Sequence, residues 1–384
     1  MPRLAYFYFI NSAPMRPFLV RLHRYIGLLI AGFLLLCGFS GALLAWQEEL
    51  DRWLNPHWYQ TSPNHQPRPA LDLVEQFERE HPGIEVTSLP LLIKPGQPLK
   101  VWVQARPPAA GLGFNQVFIH NQSAQLLGAR TWGKVRLDRA HLIPLLYKFH
   151  YSLLIPGQWG IWLLGMVAVL WFLDCFSALA ISFPRLDLWR KSLRFRLSSG
   201  TPKRVFDLHR SSGVWLWLLL TPFACTAISM NLQQELMRPV VGIFSPLAPS
   251  PYDRPLPGGE LPPLSRALVV QKAQAAIPAG HNAAPASLSC ISALNLCSVE
   301  FRYTPERLIN SRVFLDARDG AITQVQGEND SPGDKFLSLQ FALHSGQIAG
   351  TPGRLIVTLL GLAIAALCST GILIAWRKYR ARRG

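Results

Sequence analysis

Apolar positions gather into four long runs, at about residues 25–46, 159–183, 214–230 and 355–376. A hydrocarbon core about 30 Å thick takes roughly 20 apolar residues per helix, so each run predicts a membrane span. Two long polar segments, 48–147 and 231–343, separate them. In the first segment Leu71, Val74 and Phe77 recur at helical spacing over 70–81, and Pro82-Gly83 ends that helix. The period then shortens in Val101-Trp102-Val103 and Val117-Phe118-Ile119, which predict strands. The second segment repeats the plan. A helix is expected over 264–276, then strands over 299–303 and 313–315, with Asp319-Gly320 as a turn and a Pro-rich loop over 241–263. The expected fold class is a membrane α-helical protein: four transmembrane helices in a duplicated two-helix unit, with two outer α+β modules.

Composition agrees with a bilayer setting. Of the 384 residues 49% are hydrophobic and only 16% charged, against about 25% charged in a soluble domain. Mean hydropathy is +0.18. The net charge of +16 sits in short clusters beside the apolar runs, which argues against nucleic-acid binding. Residues 1–24, 185–210 and 377–384 hold 17 of the 38 basic residues in 58 positions, while 48–148 (11 basic, 9 acidic) and 231–343 (9 and 10) are near neutral. The positive-inside rule then puts both termini and the middle loop in the cytoplasm and the long segments in the periplasm of a bacterial inner membrane. The expected domain plan is a cytoplasmic N-terminus 1–24, spans 25–47, 148–183, 208–230 and 344–376, outer modules 48–147 and 231–343, a basic loop 184–207 and a tail 377–384. The first span is too long for a signal-peptide core and is expected to be retained. Residues 1–14 precede a second methionine, Met15, so the true start is open. Cys290 and Cys297 share an outer segment where a disulfide is permitted; two free thiols are the alternative.

An internal repeat carries the chemistry. Leu22-His23-Arg24-Tyr25-Ile26-Gly27 opens the first span and Leu208-His209-Arg210-Ser211-Ser212-Gly213 the third. His150 precedes the second span and its Pro156-Gly157; His344 precedes the fourth and its Pro352-Gly353. Parallel repeats of this kind turn about an axis along the membrane normal. His23 would then face His209 on one side and His150 would face His344 on the other. One boundary histidine alone usually meets water or headgroups. Four, matched two by two, suit metal ligation. Zinc and copper usually take more than two protein ligands, whereas two opposed imidazoles suit the axial positions of a flat haem.

Those L-H-R-x-x-G openings, the outer histidines before Pro-Gly and the small outer modules resemble the PepSY-associated transmembrane family over about residues 16–380, and within it the inner-membrane ferric-siderophore reductases of the ferrioxamine type. The resemblance implies two b-type haems with bis-histidine ligation, His23 with His209 and His150 with His344. It implies a haem-dependent oxidoreductase that reduces siderophore-bound Fe(III), hydroxamate oxygens holding Fe(III) far better than Fe(II). It also leaves an alternative, a non-enzymatic membrane protein whose PepSY-like modules bind or regulate a periplasmic partner such as a peptidase. A permease is disfavoured because four spans with few buried polar groups leave a poor pathway.

Arg24 and Arg210 are candidates for haem propionates, with a positive-inside anchor as the other role open to them. Arg354 is a candidate near the outer pair. Asp174, about 26 Å past the Pro-Gly start at helical rise, is an intramembrane acid and a candidate to orient a ligand histidine. His141, nine residues before His150, is a candidate substitute for it or a substrate contact. Irons at opposite edges of a roughly 30 Å apolar layer would be far apart for one electron hop. Either the haems lie deeper, or Trp171, Trp215 and Trp217 assist. No P-loop or G-x-G-x-x-G appears, so the electrons are expected from a quinol or a separate cytoplasmic reductase.

Overall fold

A computed structural model describes residues 15–61, 66–107, 111–183, 189–196, 200–253, 256, 263–278, 282–304 and 306–384. His65, His281, Arg3, Arg185 and Asp187 lie outside them, as does the question of the start codon. The chain divides into a helical unit (1–47, 146–240, 339–384) and a sheet unit (48–145, 241–338).

Among the described residues of the helical unit, four helices are long and apolar enough to cross a membrane: Met15–Leu44, Trp159–Ser182, Thr201–Asn231 and Gln347–Arg380. They are called here the first to fourth spans. Each packs on the next and the fourth packs on the first, so the first and third lie on one diagonal of a four-helix bundle. The helices outrun the apolar windows, because a helix satisfies its own backbone whether lipid or water surrounds it. His23 and His209 therefore sit inside helices, not at their openings, and the basic loop expected over 184–207 is helical from Thr201. The expected span over 148–183 is interrupted. A short helix, Leu142–Ser152, carries His150, and the chain turns through positive φ at Leu153, Leu154 and Gly157 before the span starts. Likewise Pro332–His344 ends on His344 before Gly346 and Gly350 turn with positive φ. Left-handed backbone at leucine costs roughly 1–2 kcal/mol per residue, and it is spent where His150 is aimed.

Small residues bring the first and fourth spans together. A Cβ on Gly38 would stand 2.6 Å from the Gly361 carbonyl oxygen, and one on Gly361 2.5 Å from that of Gly38. Such close backbone approach drives association where water does not. Arg354 fastens the same pair of helices. Its Nε donates to the Ala45 carbonyl at 2.6 Å, at the end of the first span, and its guanidinium lies 4.3 Å from the Trp46 ring.

The two polar segments, read separately in the sequence, share one sheet. Its strands are β1 (Ile84–Pro90), β2 (Leu99–Ala105), β3 (Gln116–Ile119), β4 (Leu126–Arg130), β5 (Ala283–Ile291), β6 (Leu296–Tyr303), β7 (Ser311–Asp316) and β8 (Ile322–Gln326). The order β4-β3-β2-β1-β5-β6-β7-β8 joins the segments through β1 and β5, where Leu89 pairs with Leu288 and the Ser88 and Ser289 hydroxyls meet at 2.5 Å. Neither four-stranded half leaves that edge open. The expected helices are present as Ala70–Glu80 and Arg266–Ala275. Leu73, Val74, Phe77, Val269 and Ala273 pack with Val101, Val117, Val299 and Val313 in one core. A fully buried side chain of this size contributes roughly 1.5–3 kcal/mol. Glu78 ties the halves, accepting from Val86 N at 2.7 Å and from both Arg266 Nη atoms. Cys290 and Cys297, opposite each other on β5 and β6, form a disulfide.

Beside β7, Arg318 donates to both Asp316 oxygens and holds that carboxyl below its ordinary range. A depressed carboxyl stabilises the fold above its unfolded value, about 3.9, and the gain is lost as pH falls through the folded value. The apparent Tm of the sheet unit is expected to drop between about pH 5 and pH 3. Arg318→Gln should flatten that slope; thermal melts across this range check it.

Candidate functional site

His23 on the first span and His209 on the third face each other across the bundle diagonal, ring centres 6.1 Å apart and planes at 44°. His150 and His344, each in the last turn of a short helix, face each other at 6.3 Å and 48°. Both pairings expected from the repeat are thus present in the geometry. From His23 to Ser40, which touches His150, is 17 residues of one helix; from His209 to Thr226, which touches His344, is again 17. Each is about 26 Å at helical rise, so the two pairs lie at two depths of the bundle.

All four rings are held by Nδ1. His23 Nδ1 meets both Asp174 oxygens at 3.0 and 2.9 Å. His209 Nδ1 lies 3.0 Å from the Leu367 carbonyl oxygen and 3.1 Å from Thr370 Oγ1. His150 Nδ1 meets Ser40 Oγ at 2.9 Å and His344 Nδ1 meets Thr226 Oγ1 at 2.9 Å. The Ser40 hydroxyl already donates to Leu36 O at 2.7 Å, and the Thr226 hydroxyl to Phe223 O at 2.7 Å. A carboxylate and a carbonyl can only accept, so His23 and His209 donate from Nδ1; the Ser40 and Thr226 hydroxyls, each already bonded to a backbone carbonyl, assign the same tautomer to His150 and His344. In the neutral rings the proton is on Nδ1, and each Nε2 presents a bare lone pair, the form in which imidazole binds a metal.

Glycine makes room for two of the rings. A Cβ on Gly41 would stand 3.0 Å from His150 Cε1, and one on Gly371 3.1 Å from His209 Cε1. Phe223 stacks on His344 at 4.5 Å and 11°.

Around the first pair lies a cavity of about 450 Å³, within the roughly 300–1,000 Å³ of ligand sites. Its wall is largely apolar, with Trp171 and Trp217, and it carries the cations Arg16, Arg24, Arg210 and Lys378. Arg24 and Arg210, the two propionate candidates, line this cavity with His23 and His209. Arg210 also contacts Asp207 at 3.2 Å, and its buried Nε has no hydrogen-bond partner. Arg16 and Lys378 were not singled out by the sequence; their only signal is basic character next to a span. Asp174, the candidate orienting acid, does contact His23; it is 6% exposed and receives the Ser177 hydroxyl at 2.6 Å.

Other expectations land elsewhere. Arg354, a candidate near the outer pair, contacts the Ala45 carbonyl and the Trp46 ring. His141 belongs to the sheet unit, buried with its Nδ1 2.6 Å from Asp138 Oδ1. His81 and His120 serve local turns through Phe77 O and the amides of Gln122 and Ser123. Trp171 and Trp217 pack in the apolar layer of Cys175, Leu220, Leu360 and Ile364. Trp215 does not: it is 60% exposed on the outside of the bundle, its indole donating to Leu193 O. Two helical steps separate it from Trp217, which turns it about 160° away, to the opposite face.

The comparison with known families matches this layout to the PepSY-associated TM region over residues 20–378. The chain belongs to that family. It is a multi-pass membrane protein with an antiparallel sheet region outside its apolar helices. Among curated proteins no match is found.

Proposed function

We propose that this protein is a di-haem membrane oxidoreductase that passes single electrons between two bis-histidine centres and reduces siderophore-bound Fe(III) to Fe(II). The observation that carries the reading is the pair of facing imidazoles, found twice, with every Nδ1 tied to an acceptor. Two imidazoles that share one metal atom through bonds of about 2 Å stand roughly 6–6.5 Å apart between ring centres. The 6.1 and 6.3 Å separations fit one iron in each gap. The cavity beside His23 and His209 fits a flat, largely apolar group, and Arg24 and Arg210 there fit its carboxylates.

Haem would supply one-electron chemistry at each pair. The chain does the rest. Asp174, Ser40, Thr226 and the Leu367 carbonyl keep four Nε2 atoms unprotonated and aimed. The layer of Leu220, Leu360 and Ile364, with Trp171 and Trp217 packed on it, excludes water between the two depths. The hydroxamate-type substrate, the inner-membrane setting with periplasmic sheet and cytoplasmic termini, and the quinol or reductase donor rest on the family resemblance and the charge pattern.

Purified from haem-replete cells, the protein is expected to be red, with a low-spin Soret band that shifts on dithionite. The reduced protein, mixed anaerobically with ferric hydroxamates, should reoxidise and release Fe(II) to a ferrous chelator. A colourless preparation would sink the reading and favour a partner-binding membrane protein. A red protein that no ferric chelate reoxidises would retain the haem and overturn the substrate.

A further inference from the structure

The two histidine pairs are alike in spacing but not in what holds them. At the first pair one ligand, His23, donates to a carboxylate. Asp174 is 6% exposed, 2.9 Å from Nδ1, and its ion-pair contact is with that ring. At the second pair the acceptors are two neutral hydroxyls, Ser40 and Thr226, with the Phe223 ring stacked on His344. A buried anion on the far side of an imidazole makes it a stronger electron donor and favours the more positive iron. A neutral hydroxyl in an apolar wall does so much less.

On this basis, and resting on the di-haem reading above, we infer that Asp174, acting through His23, sets the midpoint potential of the His23–His209 centre below that of the His150–His344 centre. Asp174 is a positioning residue that gives electron flow a direction. A group held by His23 and His209 would pass one electron to a group held by His150 and His344. No proton moves and no bond is made or broken. The cations lining the same cavity act in the opposite sense. Arg210, however, is already met by Asp207, and Arg24 turns to the hydroxyl of Tyr25. The contact at hydrogen-bond distance dominates.

Ser177 supplies a second handle. Its hydroxyl donates to Asp174 Oδ1 at 2.6 Å and so spreads the charge that His23 feels. Removing it should strengthen the effect of the carboxylate, whereas removing the carboxylate abolishes it.

The test is a spectroelectrochemical titration of the intact, haem-loaded protein and of D174N, D174E and S177A. The wild type is expected to show two one-electron waves. In D174N the lower wave should rise by at least tenfold in its equilibrium constant, about 59 mV for one electron, with the upper wave unmoved. D174E should keep the separation, and S177A should push the lower wave further down. S177A leaves the carboxylate in place and so reports even if D174N loses haem. Waves that stay put in both D174N and S177A, or a D174N change confined to the upper wave, would overturn the inference while leaving the di-haem reading intact. A wild type without haem would instead remove the reading on which it rests.

Discussion

His23→Ala is expected to remove about half of the bound haem, leaving one low-spin centre whose spectrum matches that of His209→Ala. His150→Ala and His344→Ala should lose the other half, and the H150A/H344A double variant should be no worse than either single. The reason is geometric. Each pair spans a single gap of 6.1 or 6.3 Å, so losing either ring would remove one of the two residues that would hold that group and leave the other pair, 17 helical residues away, untouched. His120→Ala is the control, since His120 caps a turn in the sheet unit. Haem per protein by pyridine haemochrome, with the near-infrared or EPR signature of bis-imidazole iron, reads the result. Equal loss of both centres on changing His23 alone would sink the pairing.

The second large effect concerns stability. Arg130 is almost wholly buried, and so is Asp51. Two contacts join them, at 2.6 and 3.0 Å. Gln116 takes the Arg130 Nε proton, Asn55 and Tyr59 complete the carboxylate, and Trp58, Phe118 and Trp132 surround the guanidinium. Burial and the Asp51 charge push the Tyr59 hydroxyl well above its ordinary value, so it stays a donor. Asp51→Ala leaves a buried cation with no counter-charge, which costs about 3–5 kcal/mol. Arg130→Met with Asp51→Leu removes both charges and should recover most of that loss, because apolar replacements of a buried pair are often neutral. Denaturant melts followed by tryptophan fluorescence give the double-mutant cycle. A D51A loss under about 1 kcal/mol would show that water reaches this pair.

Legibility differed by kind of residue. The spans were legible because about 20 apolar residues in a row have one use in water's absence. Short runs of β-branched and aromatic residues, such as 101–103 and 313–315, were legible for a similarly local reason. β1 and β5 were not, since Ile84–Pro90 ends in proline and Ala283–Ile291 is small and polar; they are strands because they pair with each other and with β2 and β6. The repeat announced the four histidines. It also contained, unread, their hydroxyl partners: Ser40 follows His23 by the same 17 residues as Thr226 follows His209. The Leu367 carbonyl and the space left by Gly371 carried no signal, because any residue has a carbonyl and glycine has many uses.

Four crossings, a cationic edge at each of three places, and two sets of matched imidazoles follow from the order of residues alone, since bilayer thickness and helical rise convert counts directly into lengths. Tertiary structure decided which rings meet, which nitrogen each keeps free, that an acid stands behind only one pair, and that both polar segments close into one sheet. These depend on how separate helices and strands approach in space, and residues 151 positions apart, such as His23 and Asp174, acquire a relation only when packing brings them to hydrogen-bond distance.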